Sequence, residues 1–149
     1  MKKRFLWLAL CFLCAAASAC STKTEAAGSG GIDVDLTALS STMVYGEVFN
    51  MMQNPDDYVG KTIKANGPYY ASFFPETGEY YHFVIVRDAT ACCQQGLEFK
   101  VDGNPELAYR YPEDFPTDET LVELVGVYNA YEELGETYYY LSVKDIAVL

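Results

Sequence analysis

One segment of the chain, residues 42–54, has apolar residues at the spacing of an α-helix. They recur at i, i+4, i+7 and i+8, so they share one helix face that can pack against a core. The stripe consists of Val44, Val48, Met51 and Met52. Hydroxyl residues from Ser40 to Thr42 can cap its start, and Pro55 lies just beyond its end. The pattern predicts one helix and favours a packing role for its methionines over metal ligation.

After this helix, the pattern changes to the alternation and turn signals that are typical of β-strands. In the stretch 61–67, Ile63 and Ala65 face one way and polar residues face the other. Five strands are predicted, at 61–74, 80–87, 96–101, 121–131 and 137–148. An acidic, proline-containing stretch, 102–119, forms a long connection between the third and the fourth strand, with room for one helical turn at 105–109.

This strand count and spacing predict a mainly β fold, a small five-stranded OB-fold-like Greek-key barrel with one N-terminal helix. Gly67 and Gly126 fall within the first and the fourth predicted strands, where glycine often marks a sharp bend at a barrel corner. A five-stranded sandwich is the alternative. The barrel is preferred because those two long strands are interrupted by glycine, as coiling around a closed sheet requires.

The N-terminal residues have the parts of a secretory signal. Three basic residues at 2–4 precede an apolar run at 5–17, which is too short to span a bilayer, and small residues then lead to Cys20. Ala-Ser-Ala-Cys resembles the lipobox of bacterial lipoproteins, although Ala17 stands where leucine is usual. We expect a signal peptide at 1–19 and a lipidated Cys20, carrying for example palmitate. Ordinary cleavage after Ala19 and a buried N-terminal helix are the alternatives.

A signal of this kind places the protein outside the cytoplasm, anchored to the cell membrane. Residues 21–31 are small, polar and glycine-rich, so we expect a flexible linker over 20–38 and the folded domain at 39–149. The mature chain keeps 7 basic and all 21 acidic residues, a net charge of 7 − 21 = −14. That charge argues against nucleic acid as a partner. The sequence shows no catalytic motif, so an enzyme is not predicted.

Three stretches, 55–67, 88–99 and 122–128, resemble a group of bacterial OB-fold-like lipoproteins and membrane-associated proteins of largely unassigned function. A Tyr-x-Gly-Lys sequence at the start of the first strand recurs in that group, and here it is Tyr58 to Lys61. A Cys-Cys pair before the third strand also recurs, here followed by Gln-Gln-Gly-Leu-Glu-Phe. The resemblance implies an architecture and an extracytoplasmic setting, and it implies no activity.

The adjacent cysteines Cys92 and Cys93 are the main candidates for chemistry. Three of the five cysteines lie at or before position 20, so 5 − 3 = 2 remain in the mature domain. Buried thiols that fill space are one interpretation. A second is a zinc or copper site that also uses His82, the single histidine, with Asp88 as a carboxylate ligand. A third is a strained, reducible disulfide for redox sensing or exchange.

Tyrosines are the other excess, with 13 in the chain. Successive strand residues point to opposite faces, so adjacent tyrosines place one ring inward and one outward. A protein- or glycan-interaction surface is predicted from Tyr69, Tyr70, Tyr80, Tyr81, Tyr138 and Tyr140. Cross-strand stabilisation of a small sheet is the competing interpretation. The sequence therefore predicts a binding module for a transition metal, with an interaction module or a thiol redox protein as alternatives.

Overall fold

The structure is a computed structural model that describes residues 31–104 and 109–149. The signal peptide predicted at 1–19, Cys20 and the first part of the predicted linker lie outside the described residues. So does most of the helical turn predicted at 105–109. The described chain is mainly β, with one α-helix, as the alternation of the sequence predicts.

The elements follow the predicted order closely. The helix is α1 (Ser41–Gln53), and the strands are β1 (Val34–Asp35), β2 (Thr62–Phe74), β3 (Glu79–Arg87), β4 (Gln94–Val101), β5 (Leu121–Glu133), β6 (Glu136–Val143) and β7 (Ala147–Val148). The fifth predicted strand is in fact two. The chain leaves β6 at Val143, and β7 then pairs with the start of β5.

All seven strands belong to one sheet, in the order β1-β2-β3-β4-β6-β5-β7, rather than to the two sheets of a sandwich. An additional pairing between β2 and β5 closes a ring of five strands, β2-β3-β4-β6-β5. Neighbours in the ring are antiparallel except for β4 and β6, which are parallel.

Two glycines allow the ring to bend. Strand β2 pairs with β5 up to Pro68 and with β3 from Tyr69, so Gly67 lies where it changes partner. A Cβ at Gly67 would collide with the carbonyl oxygen of Ile85 on β3. Gly126 lies at the equivalent change in β5, and a Cβ there would come within 2.6 Å of the Ser142 carbonyl oxygen. Both predicted bends are positions where a neighbouring backbone leaves no room for a side chain.

The core fills the ring and the space beneath α1. Phe99, Leu141 and Ile63 are fully buried, and Val48 and Met51 of α1 pack on the same cluster. Ser40 caps α1, its hydroxyl accepting a hydrogen bond from the Met43 amide at 3.4 Å. The predicted apolar stripe of α1 is wrong in one member, because Met52 is 53% exposed.

The folded domain begins earlier than predicted. Residues 33–38 belong to the predicted linker, yet Val34–Asp35 pair in parallel with β2, and Leu36 is 2% exposed. The side chain of Asp35 accepts hydrogen bonds from the amide and the hydroxyl of Thr37, which fixes the turn that buries Leu36. Strand β1 has two residues, which are too few to show the alternation of polar and apolar residues that predicts a strand. In the described part of the chain, no helix has the length and apolar character needed to cross a membrane.

Candidate functional site: the Cys92-Cys93 loop

The candidate site is the short loop 88–93 that joins β3 to β4. The last pair of the antiparallel ladder, Arg87 and Gln94, fixes both ends of this loop. Inside it, the Asp88 amide donates to the Cys93 carbonyl at 3.0 Å, and the Ala91 amide donates to the Asp88 carbonyl at 3.0 Å. The loop is therefore a compact turn whose side chains are held near one another.

The Asp88 carboxylate organises the loop from its centre. Its Oδ1 accepts the Cys92 amide at 3.0 Å and the Cys93 amide at 3.4 Å, and its Oδ2 accepts the Thr90 hydroxyl at 3.0 Å. Desolvation opposes ionisation here, but the hydrogen bonds from Cys92 and Thr90 outweigh it and lower the pKa of Asp88. Sequence analysis missed Thr90, although Asp-x-Thr is a common turn signal.

Both thiols are free and exposed, so the interpretation of Cys92 and Cys93 as buried, space-filling residues is wrong. The pair lies in the loop, before the strand begins at Gln94. The two Sγ atoms are 3.6 Å apart, and Cys92 Sγ is 3.3 Å from Asp88 Oδ2. The hydrogen bond and the charge of Cys92 raise the pKa of Cys93, even though a hydrogen bond from Tyr45 of α1 lowers it.

The three donor groups have the mutual spacing of metal ligands. Ligand atoms of Asp88, Cys92 and Cys93 all lie within 4.8 Å of one another. If a metal bound both sulfurs at about 2.3 Å, a separation of 3.6 Å would give a sulfur–metal–sulfur angle of about 100°. A carboxylate bond of about 2.1 Å gives a similar angle of about 100° for the 3.3 Å pair. Both angles are close to tetrahedral.

His82 does not join this loop. It lies opposite Phe99 in the ladder, five residues before Arg87, which is about 17 Å of strand from the loop. Its Nδ1 is 2.7 Å from the Tyr69 hydroxyl, and its ring stacks on Phe115 at 4.0 Å. Burial lowers the pKa of His82 to about 4. The expectation that β3 brings His82 near the cysteines is wrong, because five residues of extended strand separate His82 from Arg87, where the loop begins.

The six tyrosines of the predicted interaction surface lie in different environments. Tyr69 is 1% exposed and belongs to the core, so it cannot contribute to a surface. Tyr70, Tyr80 and Tyr138 are exposed, which leaves them available for contacts. The Tyr81 hydroxyl donates to Glu133 at 2.6 Å, and the Tyr140 hydroxyl donates to Asp102 at 3.2 Å. Tyr81 thus links β3 to the end of β5, as the cross-strand interpretation expects, and Tyr140 links β6 to the residue that follows β4.

A polar cluster that the sequence did not signal lies on the outer side of β4. The Tyr131 hydroxyl contacts both carboxylate oxygens of buried Glu98 at 3.0 Å, and Lys100 Nζ lies 3.3 Å from the Tyr131 ring centroid. Desolvation raises the pKa of Glu98. Alternation along β4 predicts that Glu98 faces outward. It is buried because Tyr131 of the β5–β6 hairpin covers it.

Comparison with protein-family models and with curated proteins gives no match to this sequence. The assignment of function therefore depends on the chemistry of the loop.

Proposed function

We propose that this protein is a lipid-anchored, extracytoplasmic metal-binding module that holds a divalent transition metal, Zn²⁺ by preference, in the loop 88–93. The observation that carries the proposal is the arrangement of Asp88, Cys92 and Cys93, whose ligand atoms lie within 4.8 Å of one another. Two thiolates and a carboxylate are ligands that Zn²⁺ takes in tetrahedral sites.

The sulfur separation favours Zn²⁺ over a copper(I) ion held linearly between two thiolates. A linear arrangement would place the sulfurs about 4.6 Å apart, twice a bond of about 2.3 Å. The observed 3.6 Å instead suits a bent, near-tetrahedral angle.

We further propose that the domain is an OB-fold-like Greek-key barrel. Strands β2, β3 and β4 are consecutive antiparallel neighbours, and β5 returns after the long connection to lie beside β2. This spatial order of fourth, first, second and third strand is that of a Greek key. Strand β6 then completes the ring between β5 and β4, which supports a five-stranded barrel.

The lipid anchor rests on the sequence of residues 1–20 and on the resemblance to bacterial lipoproteins. Expressed with its signal in a bacterium, the protein should partition into the membrane fraction, and mass spectrometry should find a diacylated cysteine at position 20. A Cys20→Ala variant should lose both properties. An intact Met1 on protein from the cytosol would contradict this part of the proposal.

Metal affinity should rise with pH. Because the pKa of Cys93 is raised above its ordinary value, its thiol holds a proton at neutral pH, and Zn²⁺ must displace it. If both sulfurs bind as thiolates, two protons leave, so the apparent affinity should fall about a hundredfold between pH 7.5 and pH 6.5. Competition with a chromophoric chelator measures this change. The Asp88→Asn variant should bind more weakly at both pH values, whereas the matched Glu76→Gln variant, in the β2–β3 turn, should bind like the wild type. Binding that does not depend on pH would contradict thiolate ligation.

A further inference from the structure

The two sulfurs of the loop are neighbours in the chain and also in space, with Cys92 Sγ 3.6 Å from Cys93 Sγ. We infer that these cysteines close a reversible disulfide, and that this oxidation releases the metal. The inference rests on the proposed metal site and adds its regulation, since the reduced loop would bind Zn²⁺ and the oxidised loop would not.

The first step is that each thiol has the other as its disulfide partner. Among the described residues, Cys92 and Cys93 are the only cysteines, and both are exposed, so a small oxidant can reach them. Closing the bond brings the sulfurs from 3.6 Å to about 2.05 Å. The pair is therefore placed to react with itself, and it cannot join distant segments of the domain.

The second step is that the disulfide would be strained and therefore easily reduced. Adjacent Cα atoms are about 3.8 Å apart, whereas disulfides usually span about 4.4–6.8 Å. The peptide group between the cysteines must turn to relieve this mismatch. Its N–H donates to Asp88 Oδ1 at 3.4 Å, which is longer than an ordinary hydrogen bond, whereas the Cys92 amide donates to the same oxygen at 3.0 Å. The part of the loop that must turn is thus weakly held, and a strained bond suits a switch.

The third step is the balance of electrons and protons. The oxidant is a small-molecule disulfide: one cysteine sulfur attacks it and releases a thiol, and the second sulfur then attacks the mixed disulfide and releases another thiol. Two electrons pass from the cysteines to the oxidant. Zn²⁺ leaves with its charge unchanged, and two protons from solvent complete the released thiols. Neither cysteine is then a thiolate, so Asp88 alone remains of the three donors.

Oxidation in glutathione buffers tests this inference on the full chain. Trypsin cuts after Arg87 and Lys100, so the peptide 88–100 contains both thiols and no other cysteine. As oxidised glutathione increases, mass spectrometry should find this peptide lighter by two hydrogens, and a dithiol reductant should reverse the change. In the matched Cys93→Ser variant, the same peptide should instead gain one glutathione.

Zinc provides the second measurement. The oxidised protein should bind Zn²⁺ at least about a thousandfold more weakly than the reduced protein, because both thiolates are lost. Conversely, Zn²⁺ should protect the thiols, since it binds the reduced form. With free Zn²⁺ buffered at about a hundred times its dissociation constant, the ratio [GSH]²/[GSSG] at half-oxidation should fall about a hundredfold.

The outcomes separate the two proposals. If the reduced protein binds Zn²⁺ but the peptide 88–100 only gains glutathione or joins a second chain, the metal site stands and the inference is overturned. If the disulfide closes but the reduced protein binds no Zn²⁺, the proposed function fails, and the inference fails with it because there is no metal to release. Oxidised protein that binds Zn²⁺ as tightly as reduced protein would also overturn the inference.

Discussion

Replacing both loop thiols, Cys92→Ser/Cys93→Ser, should weaken Zn²⁺ binding at pH 7.5 by at least about a thousandfold, or about 4 kcal/mol. A neutral hydroxyl is a poor zinc ligand, and the variant keeps only the Asp88 carboxylate among the three donors. Isothermal titration with Zn²⁺ measures the loss. The cysteines at 11, 14 and 20 are common to both proteins, so the difference reports on the loop alone.

The same variant should leave the metal-free fold intact. Both thiols are exposed, and exposed substitutions usually change the free energy of unfolding by less than about 0.5 kcal/mol. Urea unfolding without metal provides this control. Wild-type zinc affinity in a folded double variant would contradict the site.

The substitution Gly67→Ala should destabilise the domain by about 3 kcal/mol. The added Cβ would collide with the Ile85 carbonyl oxygen, which is backbone and cannot rotate away, so β2 and β3 would have to separate. Urea unfolding at pH 7 measures the change as a lower midpoint at an unchanged slope.

Gly46→Ala is the matched control, with an expected effect of opposite sign. Gly46 lies inside α1, and a Cβ there would meet no atom within 4 Å. Alanine in an exposed helix position is better than glycine by up to about 1 kcal/mol, so this variant should be more stable than the wild type. A Gly67→Ala protein as stable as the wild type would show that β2 does not approach β3 as closely as the structure has it.

The sequence predicted much of the fold because local chemistry determines it. Alternation at Ile63 and Ala65 and the apolar stripe of α1 are properties of adjacent residues, and the structure confirms the strand and the helix there. Gly67 and Gly126 were informative because a glycine inside a long strand signals a close neighbour. Strand β1 was missed because two residues are too few to show a period.

The candidate site was harder to predict because only part of it is local in the chain. Asp88, Cys92 and Cys93 are close in the chain, so sequence proximity alone could group them. His82 was expected to join them, but five residues of extended strand separate it from Arg87, where the loop begins. The burial of Tyr69 and Glu98 was not predicted, because it depends on residues that are distant in the chain. The Tyr69 ring is covered by Phe115 from the long connection, and Glu98 is covered by Tyr131 from a distant hairpin.

X-ray absorption at the zinc edge of the loaded protein tests the central claim most directly. The account predicts two sulfur neighbours at about 2.3 Å and two lighter neighbours, oxygen or nitrogen, at about 2.0–2.2 Å. One lighter neighbour should be lost or displaced in Asp88→Asn. A zinc ion with no sulfur neighbour, or with four sulfurs, would contradict the assignment of the metal to Asp88, Cys92 and Cys93.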